Sequence, residues 1–385
     1  MTKLQEVFFN DFVRLKRGYD LPNDKIVDGK YPVVASTSIK AFHKEYKVLP
    51  PSVVTGRSGS LGDIQFIDTP CWPLNTALYV KNFNKNNPKY VYYFLKMMHL
   101  ENFNSGAGVP TLNQNHLHKL KIKIHSKEEQ QQIAEILSAY DDLIETNNQR
   151  ITTLEQLAQQ IYKEWFVRMR FPGWENTAFQ HGIPDGWEEL PFAGLVDILS
   201  GGTPSTNTIS YWNGDVLFFT PKDANTNCIY AFDTEKKITD QGLENCNSSL
   251  YEPNTVFITA RGTVGKVNLN LYSMAMNQSC FALRGKTGIS QSYLFFATKS
   301  NVDSMKPIAN GATFDAITID SFSRFKALKP TSDLINKFDD ILIPFLNEIK
   351  CIVEVNINLT RIRDLLLPRL ISGKLSIKQA EAFTP

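Results

Sequence analysis

Asn87-Pro88-Lys89-Tyr90 comes near the Asn-Pro-Pro-aromatic pattern in which an asparagine side chain and a backbone carbonyl grip an amino group for methyl transfer. Lysine replaces the second proline, and no glycine-rich cofactor loop precedes it at the expected place. Asn-Pro ahead of YVYYFLKMM is also an ordinary way to start a helix. Gly262-Thr263-Val264-Gly265-Lys266 shares two glycines and a lysine with a phosphate loop, but that loop needs four residues between its glycines and Ser or Thr after the lysine. Val267 stands there instead. His116, His118 and His125 are neighbours in the chain, yet neither HExxH spacing nor a nearby cysteine pair supports a metal, so they read as solvated or capping residues. Pro184-Asp185 lacks the Glu-x-Lys that would complete a nuclease metal site. Cys71, Cys228, Cys246, Cys280 and Cys351 are odd in number and far apart, which fits packing residues in a reducing compartment. No catalytic or metal site emerges.

The chain that must position any site has 385 residues, 42% of them hydrophobic, enough for two or three folded domains. It has no run of about 18 apolar residues to span a membrane, and its start lacks the apolar core of a secretion signal. A soluble, cytoplasmic protein is expected. Net charge is only +2, but its distribution is uneven: residues 1–126 hold 17 basic and 9 acidic residues, whereas 171–330 hold 12 and 15. The basic part comes first.

A repeat organises the whole. Ser105 to Phe166 aligns with Asn310 to Ile371 at constant offset, SGAGVPTL lying over NGATFDAI. Upstream, each copy carries a glycine segment, TGRSGSLGDIQF (55–66) and TARGTVGKVNL (259–269), followed by a run opening at an asparagine, NTALYV from Asn75 and NQSCFAL from Asn277. Alternating β-branched and aromatic residues make these strands joined through glycine turns.

Each copy ends in a long heptad seam. The first is Ile133, Leu137, Tyr140, Ile144, Asn147, Ile151, Leu154, Ala158, Ile161, Trp165; the second is Phe338, Leu342, Phe345, Ile349, Ile352, Asn356, Leu359, Arg363, Leu366, Leu370. Ser126 caps the first, Thr331 or Ser332 the second, and Pro344 should kink the second locally. Run parallel and level, each asparagine faces an isoleucine, leaving an amide unsatisfied at about 1–3 kcal/mol. Run antiparallel, Asn147 meets Asn356, and Arg363 lies against the ring of Tyr140. The expected fold is therefore α+β: two mixed α/β domains separated by two long helices that form an antiparallel coiled coil with a pseudo-two-fold axis. The segments are residues 1–125 (first domain), 126–169 (first helix), 170–330 (Pro/Gly/Trp-rich linker and second domain), 331–372 (second helix) and 373–385 (tail).

With no active site, the arginines beside the glycine turns carry the information. A glycine turn lets backbone approach a partner, Ser58, Ser60, Thr259 and Thr263 offer hydroxyls, and Arg57 or Arg261 can bridge guanine or a phosphate. A tight hairpin with its arginine in a surface ion pair accounts for the same residues equally well. Lys40, Lys44 and Lys47 support phosphate contact in the first domain; in the second, contact must rest on Lys222, Arg261 and Lys266.

The order domain, long helix, domain, long helix, together with GIPDGWEEL (182–190), the paired GRSGSLG and ARGTVG segments and the terminal LLPRLISGKL (366–375), resembles the specificity subunit of Type I restriction–modification enzymes over nearly the whole chain. The resemblance implies that each domain reads one half of a bipartite double-stranded DNA site and the coiled coil fixes the gap. It also implies two modification (methyltransferase) subunits supplying S-adenosylmethionine and adenine N6 methylation, and two restriction subunits adding ATP- and Mg-dependent translocation and cleavage. This chain would then hold no cofactor and do no chemistry itself. DNA contact is carried onto Arg57, Ser58 and Ser60 and onto Arg261 and Thr263, with Ser105, Gly106, Gly311 and Ala312 in loops closing each domain. The first domain lacks the Pro-x-Gly-Trp opening, which leaves its opening strand undefined. Two rivals remain: a stand-alone adenine-N6 methyltransferase using Asn87 to Tyr90, and a structural protein whose seams pair between chains.

Overall fold

A computed structural model describes residues 4–106, 108–305, 316–324 and 326–385. The chain divides into two compact units, Met1–Thr146 with Asn356–Pro385, and Asn147–Val355. No helix of the described residues is long and apolar enough to cross a membrane.

In the first unit a four-stranded antiparallel sheet runs in the order Arg14–Arg17, Ala77–Asn82, Ser52–Gly56, Ile64–Ile67. A smaller sheet runs Ile39–His43, Tyr31–Val34, Trp72–Pro73, its last pair parallel. The second unit repeats this plan: Val196–Ser200, Cys280–Gly285, Val256–Thr259, Val267–Asn270, with Tyr230–Ala231 added in parallel at the edge. Its smaller sheet runs Lys236–Ile238, Trp212–Phe219, Met274–Met276, and again the last pair is parallel. The central Ser52–Gly56 and Val256–Thr259 strands are buried along their whole length, as β-branched runs covered on both faces must be.

The undefined opening of the first domain resolves into a strand, Gln5–Phe8, paired antiparallel with Lys121–Ile124. Glu188–Pro191 pairs in the same way with Lys326–Lys329 in the second domain. Each domain is thus closed by a strand near its start that pairs with the strand leading into its long helix.

Those helices are Lys127–Tyr162 and Ser332–Ile371. Ser126 and Glu129 form a reciprocal cap, the serine hydroxyl accepting the Glu129 N–H at 3.3 Å and the carboxylate accepting the Ser126 N–H at 3.1 Å. Thr331 accepts the Leu334 N–H at 3.4 Å. The second helix runs unbroken through Pro344, which is exposed, so the lost N–H bond falls on the solvent side and does not end the helix. The first ends in a wider π-type turn, Lys163–Val167, that buries Trp165 and Phe166.

None of the twenty seam residues is exposed. In the first unit, the His125 Nε2–H donates to the carbonyls of Leu370 (3.0 Å) and Ile371 (3.2 Å), and Asp141 is bonded to Arg363. Ascending one segment therefore descends the other, the antiparallel sense. The second unit shows it independently: Arg150 pairs with Glu348 at 2.5 Å, and the ring of Tyr162 lies 6.2 Å from that of Phe338. Asn147 and Asn356 are both half-buried.

One contact departs from expectation. Arg363 does not rest on the Tyr140 ring; it bonds the carboxylate one residue on, Asp141, together with Asp364, while the Tyr140 hydroxyl donates to the Phe383 carbonyl. A charge-assisted bond to a carboxylate is stronger than the attraction of a ring face. Burial alone lowers the Arg363 pKa, but its bonds to the two carboxylates more than offset this and raise it.

The first core joins Phe9, Phe12, Tyr90, Phe94 and Leu117 to Ile133, Leu137 and Tyr140 of the first helix and to Leu366, Leu370 and Ile371 of the second. In the second unit Tyr162, Trp165 and Phe166 interlock with Tyr293, Phe296 and Phe338. Cys71, Cys228 and Cys280 are buried packing residues, whereas Cys351 is exposed on the second helix, so the packing role does not extend to it.

Candidate nucleic-acid interface

In the first domain the strands Ser52–Gly56 and Ile64–Ile67 are antiparallel neighbours, and the chain between them is the glycine turn. Gly59 and Gly62 take φ of +89° and +99°, a region open to glycine and strained for other residues. Backbone bonds fix the turn from two sides. The Thr76 carbonyl accepts the N–H groups of Arg57 (2.8 Å) and Ser58 (3.1 Å), and the Gly59 N–H donates to Pro110 at 3.0 Å. Ser58 is bridged to Thr111, and the Leu112 N–H donates to the Arg57 carbonyl at 2.8 Å. The Ser36 hydroxyl adds bonds to the carbonyls of Ser58 (3.1 Å) and Thr76 (2.9 Å).

Arg57, Ser58 and Ser60 therefore share one rim with the loop that holds Ser105 and Gly106. Within that loop the Ser105 N–H and hydroxyl both bond the Thr111 carbonyl at 2.9 Å, and the Gly106 N–H bonds the Asn104 side chain at 2.9 Å, so these two residues shape the loop. Arg57 is half-buried, its guanidinium 3.5 Å from the Asn75 carbonyl, while Ser60 is exposed. Lys40 lies on the strand Ile39–His43 of the smaller sheet and Lys44 just past its end: both are exposed, and Lys40 bonds Asn23 at 2.6 Å.

The second domain repeats the scaffold. Gly262 and Gly265 take φ of +80° and +81°, and the Ser279 carbonyl accepts the N–H groups of Ala260 (2.8 Å) and Arg261 (3.2 Å). The Ile317 N–H donates to the Ala260 carbonyl at 2.9 Å. Arg261 is exposed. The Thr263 hydroxyl donates to the Pro221 carbonyl at 3.0 Å, which brings the loop holding Lys222 to the turn; Lys222 itself lies 3.6 Å from Glu235. Thr259 is buried, its hydroxyl spent inside the turn on the Thr263 carbonyl and the Lys266 N–H. Gly311 and Ala312 lie outside the described residues.

These bonds correct the pairing of the two glycine segments. Ala260, not Arg261, occupies the position of Arg57, and Arg261 occupies that of Ser58. The asparagines that open the following strands are likewise displaced, since Gly56 faces Ala77 where Thr259 faces Cys280, which sets Gln278, not Asn277, over Asn75. The physical reason is that positive-φ glycines and the carbonyl that ties the turn hold the register, while side-chain identity is free to slide. The two arginines therefore occupy successive positions of the same scaffold.

The rim holds further polar residues that motif reading missed. The Asn75 amide bonds Asp20, which also lies 3.4 Å from Arg17; at the same positions of the second domain Thr203 bonds Gln278. A comparison of strand pairing, not of residue type, is the signal that finds them.

The other motifs have structural occupations. Asn87 caps the helix Pro88–Met97, accepting the Tyr90 N–H at 3.0 Å, and Tyr90 is buried. His118 Nε2 accepts the Leu15 N–H at 3.0 Å; buried His125 holds the end of the second helix, so it is a capping but not a solvated residue.

The chain matches the family described as Type I restriction modification DNA specificity domain over residues 1–156 and 184–332. It is 26% identical over 312 residues to the Type I restriction enzyme MjaIX specificity subunit of Methanocaldococcus jannaschii, covering 76% of this chain and 70% of that one. It is 25% identical over 329 residues to the HindI specificity subunit of Haemophilus influenzae, covering 69% and 71%. Its fold is similar to the crystal structure of a Type I restriction-modification system S subunit from M. genitalium, with a TM-score of 0.59, 17% identity and 96% of each chain covered.

Proposed function

The chain belongs to the family of Type I restriction modification DNA specificity domains, and we propose that it is the DNA-reading subunit of such a system, each domain reading one half of a bipartite duplex site. The observation that carries this reading is the pair of glycine turns, built on one backbone scaffold and fitted with different polar side chains. One scaffold presenting two side-chain sets is what recognition of two different half-sites requires, because phosphate contacts position a protein while base contacts specify.

On this reading Arg57, Ser58 and Ser60 in the first domain, and Arg261, Thr263, Lys222 and Lys266 in the second, meet DNA at the rim, with Lys40 and Lys44 adding phosphate contacts. Ser105 and Gly106 belong to the loop beside it, and DNA contact is proposed for Gly311 and Ala312 as well. The paired helices set the distance between half-sites and dock two modification subunits, and two restriction subunits join them. S-adenosylmethionine, ATP and magnesium are held by those partners. The chain alone methylates and cuts nothing, and its DNA substrate puts its work in the cytoplasm. The methyltransferase reading is disfavoured because Asn87 spends its side chain on a helix cap.

The test is reconstitution. Purified chain should neither methylate nor cleave DNA, and both activities should appear on adding the partner subunits, at one two-part sequence. Activity from the lone chain, or modification without sequence preference, refutes the proposal.

A further inference from the structure

Each domain carries a second pair of polar side chains on the rim of its glycine turn, at positions equivalent by backbone bonding. In the first, the exposed Asp20 carboxylate accepts a bond from the half-buried Asn75 amide; in the second, the exposed Thr203 hydroxyl donates to the exposed Gln278 amide oxygen. Asn75 and Gln278 each stand one residue before the carbonyl, Thr76 or Ser279, that ties down the turn. The backbone beneath them is held tightly. A Cβ on Gly18 would come within 2.2 Å of the Leu74 carbonyl oxygen, and one on Gly201 within 2.3 Å of the Asn277 carbonyl oxygen. So the segments bearing Asp20 and Thr203 are pressed against the segments bearing the amides, on a scaffold that is the same in both domains although the side chains are not.

A carboxamide presents a donor and an acceptor side by side, the pattern that matches N6 and N7 of adenine in the major groove; a phosphate asks only for donors. Pinning that amide by one neighbour leaves its outer edge available and reduces the rotamer freedom lost on binding. Asp20 can only accept, so it turns the Asn75 N–H inward and leaves the amide oxygen and a second N–H outward. Thr203 fixes Gln278 through its oxygen.

We propose that Asn75 and Gln278 are base-reading residues of the two half-sites, each preferring an adenine edge, with Asp20 and Thr203 as the positioning residues. This rests on the DNA-reading function proposed above. The test uses the full chain assembled with its modification subunits on a randomised duplex library, and sequences the bound fragments. The unsubstituted chain should return a two-part site. Gln278→Ala should relax preference at one base pair of one half by roughly 5- to 150-fold, and Asn75→Ala should do so in the other half alone. Gln278→Glu and Asn75→Asp, which replace a donor by an acceptor, should move preference at the same base pair toward cytosine. Thr203→Val should broaden the Gln278 position without touching the rest. Unchanged base frequencies in all these variants, or uniform weakening across every sequence, overturn the assignment. If the unsubstituted chain returns no two-part site, the DNA-reading function falls and takes this assignment with it.

Discussion

Arg363 of the second long helix is bonded to Asp141 of the first, and the same carboxylate accepts the Tyr93 hydroxyl at 2.5 Å. One acidic side chain thereby joins both helices and the recognition domain of the first unit. Arg363 and Asp141 keep only 14% and 28% of their side-chain surface in solvent, so each relies on the other.

Removing one partner should therefore cost more than removing both. Asp141→Ala leaves a half-buried guanidinium and an unsatisfied tyrosine, and should lower stability by about 3 kcal/mol. Asp141→Leu combined with Arg363→Met should cost distinctly less. Denaturant midpoints of the three proteins decide it: equal losses would mean the pair is not coupled.

Arg57→Ala and Arg261→Ala should each disturb one half-site only. Loss of a base contact costs about 1–3 kcal/mol and relaxes a single position, whereas loss of a phosphate contact weakens all DNA alike and lowers the salt dependence. Because the two arginines are displaced by one residue, the position relaxed should lie at a different place within each half. Library selection with either variant reads this directly, and unchanged binding in both formats would remove the arginine concerned from the interface.

One heptad inserted at matched seam positions of both helices adds about 10 Å of helical rise, the length of about three base pairs at 3.4 Å each. The gap tolerated between half-sites should grow accordingly. Retention of the original gap alone would show that the helices do not measure it.

His118 must be neutral at Nε2 to accept the Leu15 N–H. Burial, and then the positive charge of Arg14, hold its pKa below the ordinary value of 6.5. The unfolded chain therefore binds the proton first. The stability this bond contributes is present above the unfolded pKa and is lost as pH falls through the lower folded pKa. In His118→Gln the amide oxygen can take the same N–H without titrating, so the melting temperature should fall less than in the unsubstituted protein between about pH 7 and pH 5. Parallel curves would count against this role.

The helices were legible because a seven-residue period over ten positions has one physical solution, a continuous buried stripe; even Asn147 and Asn356 lie on its half-buried part. The glycine turns were legible for a similar reason, since Gly59, Gly62, Gly262 and Gly265 mark conformations other residues resist. Side-chain partners were not. Matching Arg57 to Arg261 and Asn75 to Asn277 compares chemical type, and each match errs by one residue in opposite directions, because the alignment is held by backbone bonds to Thr76 and Ser279 that leave no mark on residue type. Asp141 was overlooked as the anchor of Arg363 because it sits one place off the seam. The strand Gln5–Phe8 was hidden for another reason: its partner, Lys121–Ile124, is more than a hundred residues away.

The core of the first unit draws Leu359, Leu366, Leu370, Leu375 and Ala380 from the last residues of the chain, whereas the second unit is one uninterrupted stretch, Asn147–Val355. During synthesis the part made first must consequently wait for the part made last. Ile133, Leu137 and Tyr140 leave the ribosome with the surface that will cover them still untranslated, while the middle of the chain already has everything it needs to close. A nascent chain halted just short of Leu359 should bind a holdase chaperone through its N-terminal half and resist protease through its centre.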